Sequence, residues 1–178
     1  MIDEINRFWF EEIKPAQWWR VELAFDRQIA ERFGAVHRQA ERGELEGWRA
    51  TPEGRLAEIL VLDQFSRNIW RDTPRAFAND SMALVLAQEA VRQGADQELP
   101  VERRRFVYMP FMHSESLPIH EMAVQLFSAE GLEDNLKFEW KHREIVERFG
   151  RYPHRNAVLG RPSSLAELAF LKQPGSSF

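Results

Sequence analysis

No cysteine occurs among the 178 residues, which removes disulfides, thiolate metal sites and a cysteine nucleophile together. No run of about 18 apolar residues is present either, so a membrane-spanning helix is not expected. The opening MIDEINRFWFEEIKP is acidic before it is apolar, unlike a secretory signal, and a cytoplasmic location is expected. Excess positive charge is also missing. The 24 Lys and Arg stand against 28 Asp and Glu, a net of −4, which argues for no nucleic acid and no membrane among the partners. A glycine-rich phosphate loop, a dinucleotide fingerprint, a GxSxG elbow and an HExxH pair are all absent, against the common NTPase, dehydrogenase and hydrolase mechanisms. No motif names a cofactor.

What is present is a chain that is 44% hydrophobic with six Trp and thirteen Phe, a supply of large apolar groups that argues against disorder. At this length one domain over residues 1–178 buries about two-thirds of its unfolded surface. The patterning is helical throughout. Asp3 is placed to cap a first short helix carrying Ile5, Phe8 and Trp9, stopped by Lys14-Pro15. Phe25, Ile29, Phe33, Val36 and Ala40 repeat at three or four residues, which predicts a helix over about 21–40, ended by Gly43. Thr51-Pro52 and Thr73-Pro74 each pair an N-cap with proline at the first helical position, predicting helices to about Trp70 and to Gly94. A further helix opens at Leu99-Pro100 and is interrupted by Pro110. Ser116 caps the next, which Gly131 ends, and Ser164 with Glu167 has capping-box spacing. The fold class is therefore all-α, a single domain of antiparallel helical hairpins.

The helix after Pro52 carries apolar residues round most of its circumference, as a helix in the middle of a domain does. In its second half Asp63, Gln64, Arg67, Asn68 and Arg71 share one arc of about 140°, where Leu56 and Leu60 lie in the first. Asp63 and Arg67, four apart with the acid first, suit a helical ion pair worth about 0.5 kcal/mol on a surface. If buried, such groups must be fully paired, because an unpaired buried charge costs several kcal/mol.

A second polar concentration lies at His142 to Arg161, HREIVERFGRYPHRNAVLGR. Phe138, His142, Ile145, Val146 and Phe149 share a helical face, so His142 sits among apolar neighbours. Gly150 closes that helix and Pro153 stops it from resuming. Six Lys or Arg between Lys141 and Arg161 oppose Glu144 and Glu147, a local basic excess that points to an anion from this protein or from a ligand. The arginines 103–105 point in different directions on a helix and suit a solvated face. Phe178 after Gly175-Ser176-Ser177 is expected to fray.

The segments LDQFSRNIWRDTPRAFAND, YMPFMHSE, KHREIVERFGRYPHRN and the closing PGSSF resemble the bacterial family known as domain of unknown function 924 (DUF924) over nearly the whole chain. The resemblance implies an all-helical fold similar to tetratricopeptide-repeat proteins and brings no activity. His120-Glu121 departs from it, where a glutamine is expected in many relatives.

Function must then come from the dispersed polar residues. One reading brings Asp63, Gln64, Arg67, Asn68, Arg71, His113, Glu115, His142, Arg151, His154, Arg155 and Asn156 to one pocket for a small anionic ligand, a carboxylate or phosphate held by arginine forks. Within it His113 or His154 is the candidate proton carrier, with Glu115 or Asp63 fixing the tautomer, which gives a His-based hydrolase as a further alternative. Its metal-assisted form uses His113, Glu115 and one of His142 or His154, although on a regular helix the two side chains of an H-x-E pair diverge by about 200°. The competing class is a scaffold that receives a peptide or protein partner between helices, its polar centre an internal network. On that reading Arg67→Ala and Arg155→Ala lower stability, whereas on the ligand reading they abolish binding and leave folding intact.

Overall fold

The computed structural model describes residues 1–177, so the expectation for Phe178 lies outside the described residues. Its elements follow the apolar periodicities closely. They are α1 (Ile2–Arg7), α2 (Leu23–Glu41), α3 (Pro52–Leu60), α4 (Ser66–Ile69), α5 (Asp80–Arg92), α6 (Val101–Met112), α7 (Leu117–Phe127), α8 (Glu133–Phe149) and α9 (Leu165–Phe170). No strand occurs among the described residues. The chain is thus all-α, and the tetratricopeptide-like arrangement is compatible with it.

The central rod is α3 joined through a π-helical turn, Val61–Phe65, to α4. Leu56, Ala57, Ile59, Leu60, Val61, Leu62 and Phe65 along it have no exposed surface. Helices α1, α2, α5 and α6 pack around it, and α5, α6, α7 and α8 pack each on the next. Phe8, Trp9, Phe25, Phe33, Phe65 and Phe106 stack or meet edge-on within this core. Burial of each such ring contributes about 1.5–3 kcal/mol. Trp18 closes the aromatic cluster and donates its indole N–H to the Trp9 carbonyl at 2.9 Å.

Four local expectations are corrected. Asp3 lies in the first turn of α1, because the helix already starts at Ile2 behind Met1. The segment after Thr73 is not one helix: a 3-10 turn, Pro74–Phe77, precedes α5, and the Thr73 hydroxyl donates to the Trp70 carbonyl at 2.7 Å instead of capping. Helix α6 runs through Pro110 without interruption, giving up the one helical bond that the missing N–H would make to residue 106. Ser116 occupies the N-cap of α7 and makes no side-chain cap bond, Pro118 stabilising that start instead. Thr51 and Ser164 do cap, accepting from Gly54 N at 3.1 Å and Glu167 N at 3.2 Å.

Candidate functional site

The π turn decides the site. One residue more than an α-helix allows is accommodated between Val61 and Phe65, so side chains before and after it leave the common arc that regular spacing predicts. Asp63 turns inward and is 1% exposed. There it accepts from His113 Nδ1 at 2.7 Å and Gln64 Nε2 at 2.6 Å, with Arg67 Nη1 3.3 Å away. Burial pushes this carboxyl up, and the attraction of His113 and Arg67 outweighs that, holding it well below the usual carboxylate range. Burial and the Arg67 charge hold His113 low, against the pull of Asp63. The neutral ring therefore donates Nδ1–H to Asp63, and its Nε2 lone pair points elsewhere.

Asp80, the first residue of α5, is the hub of the second layer. It takes both Nη nitrogens of Arg67, at 2.9 and 3.1 Å, and Nη1 of Arg155 at 3.0 Å. Arg155 also donates Nη2 to the His113 carbonyl at 3.0 Å. Its guanidinium lies 4.5 Å from the Phe77 ring centroid and 4.8 Å from that of Tyr152, a cation–π setting. Four elements thus converge: the π turn with Asp63, the start of α5, the end of α6 where His113 is the C-cap, and the 3-10 turn Pro153–Arg155.

Glu115 clamps the loop after α8 rather than orienting a histidine. It accepts from Arg161 Nη1 and Nη2 at 2.7 and 2.8 Å and from the Tyr152 amide at 2.7 Å. Tyr152 in turn donates its hydroxyl to the Met112 carbonyl at 2.5 Å. Beneath it, His120 and Glu139, both without exposed surface, meet at 2.6 Å, and His120 Nε2–H donates to the Ser114 carbonyl at 2.8 Å.

Several expected members are elsewhere. Asn68 and Arg71 hold Asp26 of α2, at 2.8 Å for the amide and 2.5 and 2.8 Å for the guanidinium, so after the π turn they leave the rod on the α2 side while Arg67 stays with Asp63. Arg151 and Asn156 serve Glu167 at the start of α9, and Asn156 also accepts from Arg161. His142 donates Nδ1–H to the Phe138 carbonyl at 2.7 Å, a buried ring edge-on to Tyr152 at 5.8 Å. Phe138 itself is exposed. The His154 ring is 5.7 Å from that of Tyr152. Arginines 103–105 are half-buried, and Arg104 donates to the Asp96 and Leu99 carbonyls, so they are less solvated than expected. Among the described residues no three His, Asp or Glu side chains converge as metal ligands.

Sequence pattern gives no sign of Asp80 or Glu139, and it marks Tyr152 and Arg161 in the polar loop and His120 as a departure from the family without placing them in the site. An acid opening a helix and an arginine in a loop are too common to single out. Nor does the pattern mark a second grouping, in which His37 Nε2 lies 2.8 Å from Ser66 Oγ and His37 Nδ1 3.5 Å from Glu41. This is a Ser–His–Glu set in outline only. The serine hydroxyl donates to the Leu62 carbonyl at 2.6 Å, so the imidazole donates to the oxygen it would have to deprotonate, and the serine has no exposed surface. Two open depressions, beside Trp48 and beside Phe149, lie away from Asp63 and His113.

The profile of a family described as bacterial protein of unknown function, DUF924, matches residues 5–175. A solved structure, of a protein of unknown function called ATU0120 from Agrobacterium tumefaciens, is 38% identical over 96% of both chains with a TM-score of 0.91. No curated protein matches the chain.

Proposed function

The chain belongs to the DUF924 family of bacterial proteins of unknown function, and from its polar centre we propose that it binds a small anionic ligand beside Nε2 of His113. The observation that carries this reading is the state of that ring. Its Nδ1 is committed to the buried Asp63, its Nε2 has no hydrogen bond among the described residues, and the side chain keeps 11% of its surface. A polar atom at the rim of a buried network that no protein group answers is available to a ligand oxygen as it is to water. Here it opens to solvent beside Arg67, 21% exposed, whose Nε–H has no acceptor among the described residues. A carboxylate or phosphate oxygen is the natural acceptor for a guanidinium N–H left open in this way.

The scaffold reading is supported by a different observation. Arg67, Arg155 and Arg161 are answered by Asp80 and Glu115 within the chain, so these guanidiniums already have their carboxylates. The hydrolase alternative is weakened by Glu115, which is committed to Arg161.

Native mass spectrometry of untagged protein purified from cells, repeated after denaturation, separates these. We expect a retained oxyanion-bearing small molecule in the native protein and its loss in folded His113→Asn. Clean protein that a thermal-shift series of carboxylates and phosphates leaves unmoved transfers the weight to a scaffold for a peptide or protein partner.

A further inference from the structure

We propose that the anion enters together with a proton: His113 is neutral in the empty site and becomes an imidazolium held between Asp63 and the bound anion. This rests on the ligand reading above and adds to it a mechanism and a class of ligand, an oxyanion taken up as its acid. The charges around His113 set the requirement. Asp63 and Arg67 face it from the central rod and Asp80 from α5, while Glu115, in the segment after α6, is turned to Arg161 and the Tyr152 amide. Tyr152, His154, Arg155 and Arg161 come from the loop after α8, with His142 of α8 and His120 of α7 behind them. Three carboxylates, those of Asp63, Asp80 and Glu115, therefore meet three guanidiniums, those of Arg67, Arg155 and Arg161.

With His113 neutral this cluster has no spare positive charge, and a bare anion entering it is not compensated. Protonation at Nε2 supplies the missing charge where the anion would lie. Three features favour the proton once the anion is present. Asp63 already holds Nδ1–H at 2.7 Å. The ring belongs to the C-cap residue of α6, at the negative end of that helix's dipole. The open Nε2 can receive a proton without breaking any existing bond, because no described group donates to it. The balance is simple: anion plus proton enter, one N–H bond forms at Nε2, and no other covalent bond changes.

The test is calorimetric titration of the whole protein with acetate and, separately, with sulfate, two probes whose own charge is constant between about pH 5.5 and 8. One proton taken up per anion weakens binding about tenfold for each unit that pH rises above the range where the free ring is protonated. Titration in two buffers of different ionisation heat should return about one proton absorbed per anion. His113→Asn, whose amide can still donate to Asp63, should keep its melting temperature within a few degrees and lose that pH slope. Acetate binding without sulfate binding identifies a carboxylate site, and the reverse a phosphate-like site; either with the slope supports the inference. Binding with no pH slope overturns it and leaves the ligand reading standing, as does a slope that persists in His113→Asn, which assigns the proton to a group other than His113. Absence of binding by either anion at any pH overturns both.

Discussion

Arg155 reaches Asp80 across 75 residues of chain, Nη1 to Oδ2 at 3.0 Å, and this contact ties the loop after α8 to the start of α5. Arg155 is 5% exposed, so its charge is compensated inside the protein or not at all. Asp80→Ala is therefore expected to lower stability by about 3 kcal/mol, the low end of what breaking a buried pair costs, since Asp80 itself is partly open. Urea denaturation measures it, and a loss under about 1 kcal/mol would show that water replaces the carboxylate. Arg155→Ala destabilises for the same reason whether or not the site binds a ligand. Stability of that variant, offered by the sequence alone as a way to choose between ligand and scaffold, does not choose.

Arg71 tests the partition of the polar residues. It belongs with Asn68 to the Asp26 cluster, half-buried and remote from His113 in its bonding. Arg71→Ala should cost about 1–2 kcal/mol, as a charge-assisted pair does when one partner is lost, and leave retention of any bound anion unchanged in native mass spectrometry. An Arg71→Ala protein that is stable but empty would return Arg71 to the ligand site.

The pattern of these outcomes shows which parts of the molecule local rules can reach. Helix ends at Gly94, Gly131 and Gly150, all with positive φ, and caps at Thr51 and Ser164 depend on a few neighbouring residues and are legible. The burial of Leu56, Leu60 and Phe65 follows from periodicity alone. The polar centre was legible only in part, with Asp63, Arg67, His113 and Arg155 brought together and Asn68, Arg71, Arg151 and Asn156 engaged elsewhere. The reason is the π turn at Val61–Phe65, which no residue in VLDQF announces and which splits one predicted arc into two. Asp80 escaped notice because its role is set by partners 13 and 75 residues away.

The histidines predict a pH dependence of stability. Burial pushes the His142 ring down to about 3 and, with Arg155 and Arg67 nearby, the His154 ring down to about 4. In the unfolded chain both titrate near 6.5. Between the folded and unfolded values the unfolded state binds more protons, so stability is full above about pH 6.5 and is lost as pH falls toward 4 and 3. From about pH 7.5 to 5 the two rings together are expected to remove up to about 4 kcal/mol, at about 1.4 kcal/mol per unit each. Chemical denaturation at a series of pH values checks this, and a flat profile over that interval contradicts it.

Gly54 reverses a familiar rule. Gly→Ala inside a helix ordinarily stabilises by up to about 1 kcal/mol. At Gly54 in the first turn of α3, a Cβ would lie 2.0 Å from the Trp48 carbonyl oxygen and 2.9 Å from its carbon, and backbone cannot step aside as a long side chain can. Gly54→Ala should therefore destabilise, by about 1–3 kcal/mol as overpacking does, and shift the melting temperature downward. An unchanged or raised melting temperature would mean that the 3-10 turn Glu46–Ala50 moves at little cost.

Glu139 and His120 are both fully buried, 2.6 Å apart, and they pose a choice between an ion pair and a neutral pair that share one proton. His120 Nε2 faces the Ser114 carbonyl, which only accepts, so that nitrogen carries a hydrogen. Nδ1 then either donates to a carboxylate or accepts from a carboxylic acid. Burial raises the Glu139 carboxyl, against the pull of His120, which favours the acid, its hydroxyl donating to Nδ1. Glutamine preserves that donor in nearly the same shape. Glu139→Gln is accordingly expected to change stability by less than about 1 kcal/mol, whereas Glu139→Ala should cost at least about 2 kcal/mol by emptying the site and leaving Nδ1 without a partner. Were the pair ionic, Glu139→Gln would strand a buried imidazolium or force its neutralisation, and the loss would approach about 3–5 kcal/mol. Denaturation of the two variants side by side reads the difference, because the size of the Gln effect alone reports where the shared proton resides.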